Sequence, residues 1–206
     1  MVLNDQDVNL NQDASIDKAM TGLRRANQRA ATIIKTLRNM FSNGPRSIVV
    51  FNFNQLVNEV LLLCQPAMQK QGIDVHVELH PQALNLQGDK SQLQQVLLNL
   101  FTNAIDSFAP SFQGGKQISV RTEFVDSQIR LTVTDNGCGI SPDMKAVVFD
   151  LLRTNKETGM GIGLWLSKTI VDSHQGKIDF TTEINRGTSF TVRLPAESSN
   201  ANSFPL

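Results

Sequence analysis

One short stretch limits what this chain can fold into more than any other, because a carboxylate at a strand end is followed at once by two glycines. Residues 129–134 alternate apolar and polar side chains, which predicts a half-buried β-strand. Asp135–Ile140, with the sequence DNGCGI, follows directly. A carboxylate can accept a hydrogen bond from an exocyclic amine, and glycines let the backbone approach a flat ring. The same letters are typical of an ordinary turn, so the stretch alone leaves both interpretations open.

Hydrophobic periodicity after residue 46 predicts a mixture of helices and strands. Strands are predicted over 48–51, 73–79, 84–86, 117–125 and 128–134, and helices over 55–71 and 92–108. Asn54 and Asp89 are predicted to cap the two helices. This order favours an α+β fold over a doubly wound parallel sheet. We expect a two-layer sandwich of a mixed β-sheet and about three α-helices, preceded by a long N-terminal helix.

The N-terminal part of the chain differs in character from the rest. Residues 1–14 are polar and aperiodic, which predicts a disordered or frayed end. Apolar residues recur at steps of three or four over 15–44, which predicts a long amphipathic helix. Such a helix packs either on its own domain or in an interchain bundle, and its length favours the bundle. Residues 47–195 form the predicted main domain, and 196–206 a disordered tail.

Composition argues against several classes of protein. The 19 basic and 19 acidic residues give zero formal net charge, so no general attraction to nucleic acid is expected. No apolar run is long enough to span a bilayer, and no secretory signal is present, so direct membrane contact is not expected. Cys64 and Cys138 are far apart, which fits a reduced, cytoplasmic setting. Any sensing or membrane part of the protein is expected to lie outside this chain.

Two asparagines lie one turn apart in the second predicted helix. Asn99 and Asn103 share one helical face, and burying two carboxamides is costly unless a partner binds them. Amide oxygens suit hard cations, and Mg²⁺ also binds phosphate oxygens and water. The pair therefore indicates a metal–phosphate site, and the alternative is a solvent-exposed polar stripe.

Three alternating glycines, Gly159, Gly161 and Gly163, lead into another predicted helix. Free N–H groups and the positive end of a helix dipole favour an anion there. The spacing matches neither a Rossmann motif nor a Walker A loop. The aperiodic segment 149–158 is predicted to be a mobile lid. Its Lys156 either reaches a terminal phosphate or is a solvated surface lysine.

In this order, the paired asparagines, the DNGCGI loop and the glycine-rich segment resemble the catalytic, ATP-binding domain of sensor histidine kinases. These kinases belong to the ATPase superfamily that includes gyrase and MutL. The resemblance covers residues 47–195. The family's N, G1, F and G2 boxes and closing strand correspond to residues 94–106, 135–140, 149–156, 159–164 and 186–195. Two features depart from the pattern: Asn155 replaces a Thr, and Leu151–Leu152 stands where Pro-Phe is common.

The resemblance implies ATP and Mg²⁺ as cofactors and a role for each matching residue. Asn103 would bind the Mg²⁺ that bridges the phosphates, and Asn99 and Lys156 are implied to act in catalysis and in nucleotide binding. Asp135 would accept from the adenine amine with support from Thr188. The other implied nucleotide contacts are Gly137, Gly139, Ile140, Thr154, Gly159, Gly161, Gly163 and Leu164.

A phosphoacceptor is missing from the sequence. In histidine kinases the phosphorylated histidine precedes an acidic residue, and none of the three histidines in this chain does. His174 is predicted to be a structural residue at a helix end. The helix over 15–44 resembles the second helix of the family's dimerisation hairpin. We therefore expect the chain to bind ATP·Mg without phosphorylating itself and to dimerise weakly or not at all, although the full-length parent would be a homodimer.

The resemblance also implies partners, and two other functions stay open. The implied partners are the phosphoacceptor histidine of the parent protein and the receiver domain of a response regulator. The alternatives are an ATPase of the gyrase or chaperone class and a non-catalytic interaction module. Gyrase-like relatives place a Glu four residues before the metal-binding Asn to activate water. Asn99 stands there and cannot act as a base at neutral pH, which argues against a dedicated ATPase.

Overall fold

The computed structural model describes residues 47–109, 112–153 and 161–196, together with Met20 and Gly22. The chain divides into two units, residues 1–45 and 46–206. The second unit contains β1 (Ile48–Asn52), α1 (Phe53–Lys70), β2 (Ile73–Glu78), β3 (Asn85–Asp89), α2 (Lys90–Ile105), β4 (Lys116–Val125), β5 (Gln128–Asp135), α3 (Pro142–Lys145), α4 (Gly163–Ser173), β6 (Lys177–Glu183) and β7 (Gly187–Pro195). The predicted helix over 15–44 and the predicted disordered ends fall almost wholly outside the described residues.

The strands form a five-stranded mixed sheet in the order β2-β4-β5-β7-β6 and a two-stranded antiparallel pair of β1 and β3. Strand β2 runs parallel to β4, and the other neighbours are antiparallel. Asp126 and Ser127 both have positive φ and join β4 to β5 in a two-residue turn, which suits the twist of a hairpin. The predicted α+β sandwich with a mixed sheet is confirmed.

Helices α1, α2 and α4 cover the buried face of the sheet. Helix α2 lies in the middle, in contact with α1, α4 and β5. Its apolar residues form one core with alternate residues of the central strands. That core includes Leu97, Leu100 and Phe101 of α2 and Leu131 and Val133 of β5. The one-turn helix α3 is an addition to the three helices that the sequence predicts.

The predicted cap of α1 is wrong by two residues. Asn52 is the N-cap, and its side chain accepts from the N–H of Asn54 at 3.0 Å. Asn54 is instead buried inside the helix, where its amide donates to the carbonyl of His80 at 2.9 Å and accepts from Thr122 Oγ1 at 2.8 Å. A buried amide is tolerated when its hydrogen bonds are made, and these bonds tie α1 to the loop after β2.

Strand β2 is less buried than its alternation predicts. Ile73 is buried, but Val77 is 43% exposed. The physical reason is position, because β2 is an edge strand of the five-stranded sheet. Two boundaries also differ: α2 ends at Ile105 rather than 108, and β3 spans Asn85–Asp89 rather than 84–86. Within the described residues, no helix has both the length and the apolarity needed to cross a membrane.

His174 has the structural role that the sequence predicts. It ends α4, and its Nε2 accepts from the backbone N–H of Asp89 at 3.0 Å. Its Nδ1 donates to the carbonyl of Ile170 at 2.8 Å in the tautomer that this arrangement requires. Asp89 caps α2, so the imidazole joins the end of one helix to the start of another.

We predict that His174→Ala lowers the free energy of unfolding by about 1–3 kcal/mol, because the Asp89 N–H would lose its acceptor. Urea denaturation measures the change. His76→Ala is the matched control, since His76 lies on the exposed side of β2, and we expect a change within about 0.5 kcal/mol. Equal effects of the two substitutions would contradict the role of His174.

Candidate functional site

A cavity of about 410 Å³ lies where the end of β5, the C-terminal part of α2 and the first turn of α4 meet. Its volume is typical of small-molecule sites. Its wall is formed by Asn103, Asp106, Ser107, Asp135, Cys138, Gly139, Ile140, Met144, Val148, Arg153, Gly161, Ile162, Gly163, Leu164, Thr188 and Phe190. The apolar side chains form a surface suited to a flat ring, and the polar ones can fix the orientation of a ligand.

Asp135 is the buried carboxylate of this cavity. It is 5% exposed, and its Oδ1 accepts from the N–H of Gly137 at 2.9 Å. The antiparallel pairing of β5 with β7 sets Asp135 opposite Thr188, which is 4% exposed. Burying a carboxylate costs free energy unless hydrogen bonds compensate the loss of water. The burial of Asp135 therefore indicates a site built to hold a carboxylate.

A second hydroxyl, that of Thr182, connects the strands around the site. Thr182 Oγ1 accepts from the N–H of Ile140 at 2.9 Å and donates to the carbonyl of Gly187 at 2.9 Å. It also lies 2.9 Å from Thr188 Oγ1. These contacts fix the loop after Asp135 against β6 and β7.

The loop over 136–141 is held from two sides. On one side the N–H of Cys138 donates to the carbonyl of Ser107 at 3.1 Å, just after α2. On the other side the carbonyl of Cys138 accepts from the N–H of Asn185 at 2.9 Å, in the turn between β6 and β7. Gly139 has φ +72°, and a Cβ there would lie 2.3 Å from the carbonyl oxygen of Glu183. The glycine therefore permits both an unusual conformation and a close approach.

The segment before α4 returns to the same wall. The N–H of Leu152 donates to the carbonyl of Gly161 at 2.9 Å. Phe149 packs edge-on against Phe180 at 5.8 Å between ring centroids. Thr154, Lys156 and Gly159, three of the predicted contacts, lie outside the described residues.

Most of the predicted residues that the structure describes come together. Eight of them line the cavity: Asn103, Asp135, Gly139, Ile140, Gly161, Gly163, Leu164 and Thr188. Two do not. Gly137 packs instead on the turn just after α2, where a Cβ would lie 2.1 Å from Ser107 Oγ. Asn99 faces α4, and its Nδ2 donates to the carbonyl of Gly163 at 3.0 Å.

Residues 88–198 match the family described as histidine kinase-, DNA gyrase B-, and HSP90-like ATPases. The chain belongs to this family. This match confirms the predicted ATPase superfamily, and together with the relatives below it confirms the predicted histidine kinase resemblance.

Named relatives narrow the comparison to sensor kinases. The chain is 32% identical to sensor protein FixL of Bradyrhizobium diazoefficiens over 191 residues, which are 91% of the chain and 38% of FixL. It therefore spans well under half of that relative's length. Among solved structures it is similar to the catalytic domain of histidine kinase ThkA, with 30% identity and a TM-score of 0.65 over 72% of this chain and 95% of that one. It is also similar to ThkA in complex with the response regulator protein TrrA, with 26% identity and a TM-score of 0.69 over 88% and 52% of the two chains.

Several residues in or beside the cavity of this ATPase domain were not singled out from the sequence. Arg153 and Phe190 line the cavity, although the sequence placed them only within the F box segment and the closing strand. Thr182 lies beside the cavity through its bond to Ile140, and no local pattern marks it. Gly187 has a detectable signal, since it precedes Thr188 at the start of the closing strand. Its φ is +104°, and a Cβ there would lie 1.9 Å from the carbonyl oxygen of Asp135.

We predict that Gly187→Ala destabilises the domain by more than about 2 kcal/mol, because the strained φ and the contact with the Asp135 backbone act together. Thermal or urea unfolding measures the loss. Gly115→Ala is the control, since no atom of the described residues lies within 4 Å of its Cβ position. A Gly187→Ala domain as stable as the Gly115→Ala domain would show that β7 does not approach Asp135 this closely.

Proposed function

We propose that this chain is the ATP·Mg-binding catalytic domain of a sensor histidine kinase, which transfers the γ-phosphate of ATP to a histidine. The observation that carries the proposal is the buried carboxylate of Asp135 in the cavity of a histidine kinase-type ATPase fold. Its sequence relatives and structural neighbours support the same function.

The adenine end of the proposed site is formed by Asp135 and an apolar wall. The carboxylate accepts from the N–H of Gly137 and is the proposed acceptor for the adenine 6-amino group as well. Ile140, Met144 and Phe190 supply apolar surface for the ring faces. A charged acceptor in a dry site makes a stronger hydrogen bond than it would in water.

The phosphate end is formed by α2 and by the residues around α4. Asn103 lines the cavity and offers an amide oxygen, a hard ligand that fits Mg²⁺. Arg153 is the basic residue among the described wall residues and is proposed to contact the phosphates. Lys156 and Thr154 are proposed to add contacts, as the family resemblance implies.

The proposed reaction is an in-line displacement. A neutral imidazole nitrogen attacks the γ-phosphorus, the bond from that phosphorus to the β–γ bridging oxygen breaks, and ADP leaves. Bound Mg²⁺ would neutralise charge on the phosphates. The chain's own residues hold and orient ATP, which is the larger part of catalysis in phosphoryl transfer. Because the reaction consumes ATP, we propose that it takes place in the cytoplasm.

The accepting histidine is proposed to lie elsewhere in the parent protein, in a homodimer. His174 is committed to Asp89 and Ile170 in the fold. His76 lies in the edge strand β2, and His80 lies just after that strand. Neither β2 nor the loop after it contributes a residue to the cavity wall. A response regulator is the proposed next acceptor of the phosphoryl group, in line with the ThkA–TrrA complex. We propose no role in hydrolysis, because Asn99 cannot activate water.

We predict that Asp135→Asn weakens binding of the ATP analogue AMPPNP by about tenfold or more. Asparagine has one oxygen for two donors, so its NH₂ group would face either Gly137 N–H or the adenine amine. Calorimetry with Mg²⁺ measures the affinity, and Asp74→Asn, on the outer face of β2, is the matched control. Unchanged affinity in Asp135→Asn would overturn the adenine site.

Transfer of the phosphoryl group is measured separately from nucleotide binding, with the same purified chain. With γ-labelled ATP, we expect no label on the chain alone and label on a separately supplied dimerisation hairpin that carries its histidine. Label on a histidine of this chain would contradict the proposal that the phosphoacceptor lies elsewhere. Binding of AMPPNP without transfer to any supplied hairpin would favour a non-catalytic module.

A further inference from the structure

The side chains of Asn99 and Asn103 have different surroundings, although the two residues lie one turn apart on α2. Asn103 lines the cavity, whereas Asn99 is absent from its wall. The Asn99 amide instead meets α4 at two atoms, with Nδ2 3.0 Å from the carbonyl oxygen of Gly163 and 3.2 Å from Ser167 Oγ. This contact joins two helices that both border the cavity.

The chemistry of the contact fixes the orientation of the amide. The Gly163 carbonyl can only accept, so the Asn99 atom beside it must be the NH₂ group. Ser167 Oγ donates its proton to the same carbonyl at 2.9 Å, so it accepts from the Asn99 NH₂ group. The amide oxygen accepts from Gln95 Nε2 at 3.0 Å. The NH₂ group of Asn99 therefore bonds to α4, and its oxygen bonds to Gln95 within α2.

The burial of Ser167 shows that the contact belongs to the fold. Ser167 has an exposure of 0%, and a hydroxyl buried to that degree requires partners. Its partners are Asn99 and the Gly163 carbonyl. Helix α4 begins with Gly163 and has no side-chain cap among the described residues, so the contact adds side-chain hydrogen bonds to its first turn.

We propose that Asn99 is a positioning residue: with Ser167 it holds the first turn of α4, and through Gly163 it sets the cavity wall over residues 161–164. Its side-chain amide bonds to α4 and to Gln95 and does not line the cavity. The consequence for binding rests on the proposed ATP site, but the contact itself does not. This assignment differs from the catalytic and nucleotide-binding role that the family resemblance implies for Asn99.

The test is hydrogen exchange of the nucleotide-free chain, carried out on matched variants. Asn99→Asp keeps the size and could still bind Mg²⁺, but it sets an oxygen against the Gly163 carbonyl. Ser167→Ala removes the hydroxyl that accepts from Asn99 and donates to the Gly163 carbonyl. We expect exchange at Leu166, whose N–H bonds to Ile162, to rise by about three- to tenfold in both variants. Gln95→Ala and Asn103→Ala are the controls and should leave Leu166 unchanged.

Hydrogen exchange in β5 shows whether a variant is globally destabilised. If Ser167→Ala is globally destabilised, the result for Asn99→Asp decides the test, because Asn99 is only half-buried. Leu166 exchange in Asn99→Asp equal to that of the wild-type chain would overturn the proposal.

A second arm separates positioning from metal binding. AMPPNP affinity is measured with and without Mg²⁺. Asn99→Ala is used in this experiment, because alanine has no oxygen that could bind a metal ion. If Asn99 is a positioning residue, Asn99→Ala should weaken binding by the same factor in both conditions, whereas Asn103→Ala should weaken it only with Mg²⁺. A loss in Asn99→Ala confined to the Mg²⁺ condition would identify Asn99 as a metal ligand and overturn the proposal. Failure of the wild-type chain to bind AMPPNP would refute the ATP site, and the exchange experiment would still decide the role of Asn99.

Discussion

The packing of α2 on the sheet, with a neighbouring helix on each side, is the constraint on which the site depends. Its buried residues include Leu93, Leu97 and Phe101, each at 1% exposure or less, and burial of such a side chain contributes about 1.5–3 kcal/mol. Because this face is fixed against the sheet, the rotation of the helix about its axis is fixed as well, and so is the direction in which each polar side chain points. Asn103 must face the cavity, and Asn99 must face α4.

The second requirement is a pair of strands in fixed register. Antiparallel pairing sets Asp135 opposite Thr188, and Gly187 allows β7 to approach the Asp135 backbone closely. The loop after Asp135 is then held by a backbone bond from Cys138 to Ser107 and by Thr182. A carboxylate held this rigidly can select among ligands, because a mismatched ligand cannot be accommodated by local movement.

Local patterns in the sequence predicted most of the fold and part of the site. Asp135, Gly139 and Asn103 stand in motifs whose chemistry is visible in a few consecutive letters. Contacts between distant segments are not visible in that way. Thr182 needs the β6–β7 register to reach Ile140, and Asn54 has the appearance of a helix cap because its distant partner Thr122 cannot be seen. The spacing of Asn99 and Asn103 likewise shows that they share a helical face, but it carries no information about α4, the helix to which Asn99 bonds.

The proposed adenine-binding role of Asp135 can be tested by changing the ligand instead of the protein. Purine riboside triphosphate lacks the 6-amino group of ATP and is otherwise about the same size and charge. With Mg²⁺ present, we expect the wild-type chain to bind ATP about tenfold or more tightly than this analogue. In Asp135→Asn the two affinities should converge. Equal affinities of the wild-type chain for both nucleotides would show that Asp135 does not bind the adenine amine, and would contradict the proposed ATP site.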